Sequence, residues 1–95
     1  MSRNMLVVSH PGRQDALDAA HTVMSALIDA GVHPVVSADQ AEALSAGLET
    51  APGVLGVEIA PTDIELGIVL GGDGTILLAA ELLRGSGAPL LGVNL

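Results

Sequence analysis

Leu66-Gly67-Ile68-Val69-Leu70 runs without a break into Gly71-Gly72-Asp73-Gly74-Thr75. A short aliphatic run with no polar alternation reads as a strand buried on both faces. The glycines then read as a sharp turn, and Ile76 to Arg84 as a strongly apolar helix ended by Gly85 and Gly87. Leu90 to Leu95 is a further strand, so this half of the chain has the strand–helix–strand pattern of a parallel sheet.

The same alternation extends upstream. Met5-Leu6-Val7-Val8 is a buried-strand candidate closed by Pro11 and Gly12. Leu17, Ala20, Met24, Leu27 and Ile28 recur at helical spacing, and Gly31 sits where a helix C′ residue belongs. Val32 to Val36 is a second strand, expected near an edge or irregular because Pro34 has no N–H to donate. Asp39 is expected to cap a short helix reaching Leu48, Thr50 to Gly53 to be loop, and Gly56–Ile59 to be a strand. Pro61, Thr62 and Asp63 break the chain again. The expected fold is therefore α/β: a three-layer Rossmann-like parallel sheet with right-handed crossovers, in one domain over residues 1–95. Because Leu90–Leu95 is apolar and uncapped, it is expected to be a deeply buried strand of a truncated N-terminal piece.

Composition excludes several chemistries. The 95 residues contain no Lys, Cys, Phe, Tyr or Trp, so the core must be built from Val, Leu, Ile, Ala and Met. A chain this short buries only about 60–65% of its unfolded surface. Without Lys there is no Walker-type loop, Schiff base or pyridoxal chemistry. Without Cys there are no disulfides, thiolate nucleophiles or zinc-thiolate clusters. Without aromatics there is no base-stacking platform. Arg3, Arg13 and Arg84 face eleven acids, and the net charge of -8 argues against nucleic acid or an anionic membrane as partner. No run spans a bilayer and the start is not a signal peptide, so the expected compartment is the cytoplasm.

The turn at Gly71–Thr75 carries the chemistry. It falls at the carboxyl edge of the sheet, where open α/β sheets bind ligands. Glycines let the backbone approach a phosphate, and free N–H groups at the helix start favour an anion. Thr75 can cap the helix or bond a phosphate oxygen. Asp73 conflicts with an anion unless it holds magnesium or accepts a proton from an attacking hydroxyl. Phosphoryl transfer demands positioning more than base strength, so a carboxylate can serve. The plainer alternative is a β–α turn in which Asp73 merely caps a helix.

Gly71-Gly72-Asp73-Gly74-Thr75 resembles the GGDGT signature of the NAD kinases, of the diacylglycerol and sphingosine kinases and, with Ser for Thr, of the phosphofructokinases. Ile76-Leu77-Leu78-Ala79-Ala80-Glu81 and Leu91-Gly92-Val93-Asn94 are similar to the NAD kinase segments, and no lipid-kinase Asn-Glu pair follows the motif. Ser9-His10-Pro11-Gly12-Arg13 is similar to the first-strand turn of bacterial NAD kinases, where His-Thr-Gly-Arg occurs. The resemblance implies a phosphofructokinase-like N-terminal domain and transfer of phosphate from ATP or polyphosphate, with magnesium, to the adenosine ribose 2′-hydroxyl of NAD. It implies Asp73 as proton acceptor, Asp73 and Gly74 at the NAD site, and Gly71, Gly72, Gly74 and Thr75 facing phosphate. Some members carry Arg where Leu78 stands. The family's β-rich NAD-binding domain, with its Asn-Glu or Asn-Asp pair, is missing, so these residues alone are expected to be inactive. The whole protein is expected to be a homo-oligomer. A lipid kinase of the same superfamily and a non-catalytic nucleotide-binding fragment are the alternatives.

His10, Arg13 and Asn94 are expected on the ligand edge, because a parallel sheet brings the ends of its strands together. His21 and His33 have no partner at metal-ligand spacing and read as structural. Arg84 is expected to offset the dipole of its helix, and Asp15, Asp18 and Asp29 to form a solvated face.

Overall fold

The computed structural model describes residues 3–95. Its strands are β1 (Asn4–Ser9), β2 (His33–Val36), β3 (Gly53–Val54), β4 (Leu66–Leu70) and β5 (Leu90–Val93). All neighbours pair in parallel, in the order β3-β2-β1-β4-β5. The α-helices are α1 (Gln14–Asp29), α2 (Ala41–Ser45) and α3 (Asp73–Leu82).

Strand residues alternate between the two faces, and the core divides accordingly. Leu6, Val8, Val35 and Val69 pack with Ala79 and Leu83 on the α3 side. Val7, Val36 and Leu70 pack with Ala20 and Met24 of α1 and Leu44 of α2 on the other. Helices thus cover both faces of one parallel sheet. This is the three-layer α/β arrangement expected from the alternation.

β2 lies near the edge of the sheet, as Pro34 implied, one place in from the two-residue strand β3, and Pro34 is fully buried. The His33 N–H donates to Arg3 O at 2.7 Å, so the nitrogen of Pro34 faces β3, whose pairing begins only at Val35↔Gly53. The bare flank makes proline harmless. The third strand is Gly53–Val54 rather than Gly56–Ile59, and Gly53 is not loop. Gly56 has a left-handed φ of 81°, and the chain there folds on itself through Gly56 N–H to Ile59 O at 2.8 Å.

Asp39 caps nothing. It lies inside a 3-10 turn (Ala38–Gln40) that starts after Ser37 and has no side-chain cap bond, and α2 stops at Ser45. Nor does α3 begin at Ile76 or reach Arg84; it starts at Asp73 and ends at Leu82. Arg84 therefore lies beyond the last turn, paired with Glu81. β5 is the sheet's edge rather than its most buried strand, with Leu91 52% exposed. Asp15, Asp18 and Asp29 are exposed, as expected for a solvated face.

Candidate functional site

β1 and β4 are neighbours, but the chain leaves them in opposite directions, toward β2 and β3 from one and toward β5 from the other. Their carboxyl ends therefore bound a crevice, the place where open α/β sheets take ligands. A cleft of about 500 Å³ lies there. His10, Pro11 and Arg13 line it from the segment after β1, and Gly72, Gly74, Thr75 and Leu78 from the turn and helix after β4.

The glycines of the turn have separate causes. Gly71 has φ 155°, and a Cβ there would stand 2.6 Å from Thr75 Oγ1 and 3.2 Å from His10 Cβ. Its N–H donates to Val93 O at 3.1 Å, which ties the turn to β5. Gly71 is thus a requirement of the fold, buried behind the cleft. A Cβ on Gly72 or Gly74 would meet nothing within 4 Å. These two glycines keep open space at the cleft wall.

Helical bonding starts at Gly72 O, which accepts the N–H groups of Thr75 and Ile76, both at 3.1 Å. The amides of Asp73 and Gly74, in the first turn, have no intrahelical acceptor and are available to an anion. Thr75 is not the cap: Gly72 occupies that position without a side-chain bond, and Thr75 is buried against Gly71. Asp73 is exposed at the first helical position and lies beside the lining residues rather than among them.

On the opposite wall, the His10 N–H donates to Leu70 O at 2.9 Å, joining the two walls at their base. His10 Nδ1 accepts the Gly12 N–H at 3.1 Å, so the neutral ring carries its proton on Nε2. Arg13 grips Asp15 with two nitrogens, Nε to Oδ1 at 3.1 Å and Nη2 to Oδ2 at 2.6 Å, and its Nη1 donates to Leu95 O at 3.2 Å. The hydrogen bond from Arg13 holds the Asp15 carboxyl below the usual carboxylate range. Asn94 follows β5, is exposed and does not line the cleft.

His21 contacts Ala43 O at 3.3 Å, and His33 packs beside Gly53. Among the described residues no three His, Asp or Glu side chains gather as a metal cage. Two lining residues were not expected there. Pro11 read only as a turn former, and Leu78 as a position unable to make the contact an Arg would make.

Sheet order and cleft define a class: a three-layer α/β domain with a Gly-rich β–α turn at its topological switch point, suited to phosphate-bearing ligands. The profile of the ATP-NAD kinase N-terminal domain matches residues 5–95. The chain belongs to this family. It is 56% identical over 95 residues to a NAD kinase of Leifsonia xyli subsp. xyli, covering 98% of this chain and 31% of that protein. A NAD kinase of Thermobifida fusca is 44% identical over 100 residues, covering 99% of this chain and 30% of that protein. The crystal structure of yeast NADH kinase complexed with NADH superposes with a TM-score of 0.75 at 23% identity, over 99% of this chain and 31% of that one. That likeness concerns the fold. The chain spans about a third of the length of these relatives.

Proposed function

We propose that residues 1–95 are the N-terminal nucleotide-binding domain of a NAD kinase, which phosphorylates the adenosine ribose 2′-hydroxyl of NAD to give NADP. The observation that carries this reading is the GGDGT turn at the switch-point crevice, where Gly72 and Gly74 leave space that side chains would fill. Backbone N–H groups of Asp73 and Gly74 hold phosphate oxygens, Thr75 and Gly71 shape the loop, and Asp73 and Gly74 face the dinucleotide. His10 and Arg13 form the edge of the ligand site. The donor is ATP or polyphosphate. The 2′-oxygen forms a bond to the terminal phosphorus, the bridging P–O bond breaks, ADP or shortened polyphosphate leaves, and Asp73 accepts the hydroxyl proton.

Magnesium fits this donor set. It is commonly held by one or two carboxylates together with phosphate oxygens and water, and the exposed Asp73 would supply the carboxylate beside the turn if it held the ion instead of accepting the proton. Bound there, the ion would offset phosphate charge that this acidic chain cannot neutralise alone. No helix among the described residues is long and apolar enough to cross a membrane. The proposed protein is a cytoplasmic homo-oligomer, and its charge of -8 repels nucleic acid and anionic membranes as partners.

Asp73→Asn in the natural polypeptide tests the assignment. Turnover should fall by roughly 10²–10⁴ while NAD still binds, by titration calorimetry. Near-normal turnover would remove Asp73 from the proton-acceptor role. Nucleotide binding by the wild type without NADP formation would favour a non-catalytic module.

A further inference from the structure

Gln40 closes the 3-10 turn after β2 and is only 9% exposed. Its side-chain amide makes two bonds to one residue of another strand. Oε1 accepts the Ser9 N–H at 3.1 Å, and Nε2 donates to Ser9 O at 2.7 Å. Ser9 ends β1, is fully buried, and directly precedes His10-Pro11-Gly12-Arg13, the segment that forms one wall of the cleft.

The pairing pattern explains why a side chain is needed there. β1 pairs with β2 only as far as Leu6↔Val35, whereas it pairs with β4 through to Ser9↔Leu70. Backbone polar groups alternate sides along a parallel strand. His10 N–H faces β4, where Leu70 O accepts it, so the N–H and C=O of Ser9 face the flank that β2 has left. Unpaired and buried, both groups would be costly. The planar amide of Gln40, with one donor and one acceptor, stands in for the missing strand residue.

We propose that Gln40 is a positioning residue for the ligand cleft: it clamps Ser9 on one flank while Leu70 holds His10 on the other, and so sets the wall that carries His10 and Arg13. This rests on reading the cleft as the dinucleotide site. Gln40 touches no ligand. It acts through the backbone of Ser9, and its loss lets the wall drift from the glycine turn. Displacement of such a wall affects ligand fit more than the proton transfer at Asp73.

Gln40→Met keeps the length and apolar stem but removes both bonds. In the natural polypeptide it should raise the KM for NAD roughly tenfold with a much smaller change in kcat. Added to Arg13→Ala, it should raise KM by less than it does alone, because one of the two cleft residues it positions has gone. Gln40→Glu supplies rescue. Protonated, its carboxyl offers one acceptor and one O–H donor to Ser9; ionised, it turns a second acceptor toward Ser9 O. Relative to wild type at each pH, this variant should match Gln40 in acid and Gln40→Met at neutral pH.

A second readout does not depend on turnover: the imidazole nitrogen shifts of His10, fixed by the Gly12 N–H, should move in Gln40→Met. Unchanged His10 shifts together with wild-type KM and only a lowered Tm would overturn the proposal, as would full additivity with Arg13→Ala. If the wild type does not phosphorylate NAD but the His10 shifts still move, the assigned reaction fails and the positioning role stands.

Discussion

Gly71 and Gly74 stand three positions apart, yet the fold needs only one of them. Gly71 combines a positive φ with a Cβ position 2.6 Å from the hydroxyl of a buried threonine, so Gly71→Ala must strain the backbone and push Thr75. We expect a loss of about 1–3 kcal/mol in chemical denaturation. Gly74 lies in the first turn of a helix with open space above its Cα. Gly74→Ala should leave stability unchanged or raise it by up to about 1 kcal/mol. Its methyl would enter the space assigned to phosphate, so nucleotide affinity should fall on the order of tenfold by calorimetry. Equal stability losses in both variants would show that Gly74 also serves the fold. The sequence exposed the loop but not this division, because φ and Cβ neighbours depend on Thr75 and His10 in three dimensions. Gln40 was illegible for a related reason. A side chain that completes a ladder 31 residues away leaves no local pattern.

Elements were legible in proportion to their length. β1, α1 and β4 each carry a periodic or continuous apolar signal, and each lies where that signal put it. β3 has two residues, too few for any periodicity, and the apolar residues Val57 and Ile59 beyond it drew the strand too far along. Val57 is 76% exposed, so hydrophobicity there marks a turn. Helix α3 starts earlier than its apolar run because Asp73 and Gly74 adopt helical geometry without contributing to the pattern. At the opposite end of the sheet from the cleft, Arg3 and Glu65 precede the paired strands β1 and β4 and bridge them at 2.8 Å. The Arg3 hydrogen bond, aided by its charge, holds the Glu65 carboxyl below the ordinary glutamate range. A lowered carboxyl value stabilises the folded state above the unfolded value, and that contribution is lost as pH falls through the folded one. Arg3→Gln should return the Glu65 midpoint to the ordinary range in an NMR titration and reduce the dependence of stability on acid. A midpoint that stays low would assign the shift to another donor. Because the pair is exposed, the change in neutral-pH stability should be small.

At the scale of the molecule, electrostatics is the term least visible in any single contact. Each arginine is paired with a carboxylate, Arg3 with Glu65, Arg13 with Asp15 and Arg84 with Glu81, while the net charge remains -8. The other acids have no arginine partner among the described residues and repel one another across a domain only 32 Å in its longest extent. Two effects of salt then compete. Raising ionic strength from about 0.01 M to about 0.15 M shortens the Debye length from ~30 Å to ~8 Å, which screens the repulsion. It also weakens the three exposed pairs, whose individual contributions are small. The pairs act at contact distance, where screening is weakest, whereas the repulsion acts over tens of ångströms, where screening is strongest. Stability should therefore rise with salt, and a net gain of about 1 kcal/mol would lift Tm by about 4–8 °C for a chain of this size. A fall in Tm would show that the arginine pairs outweigh the repulsion. The same field opposes an incoming phosphate, so nucleotide affinity should also rise with sodium chloride. Magnesium at equal ionic strength should raise it further, because a divalent ion bound with the phosphates removes charge that a diffuse atmosphere only screens. If affinity instead falls with sodium chloride, a local positive site, with Arg13 as its cation, controls binding against the net charge of the domain.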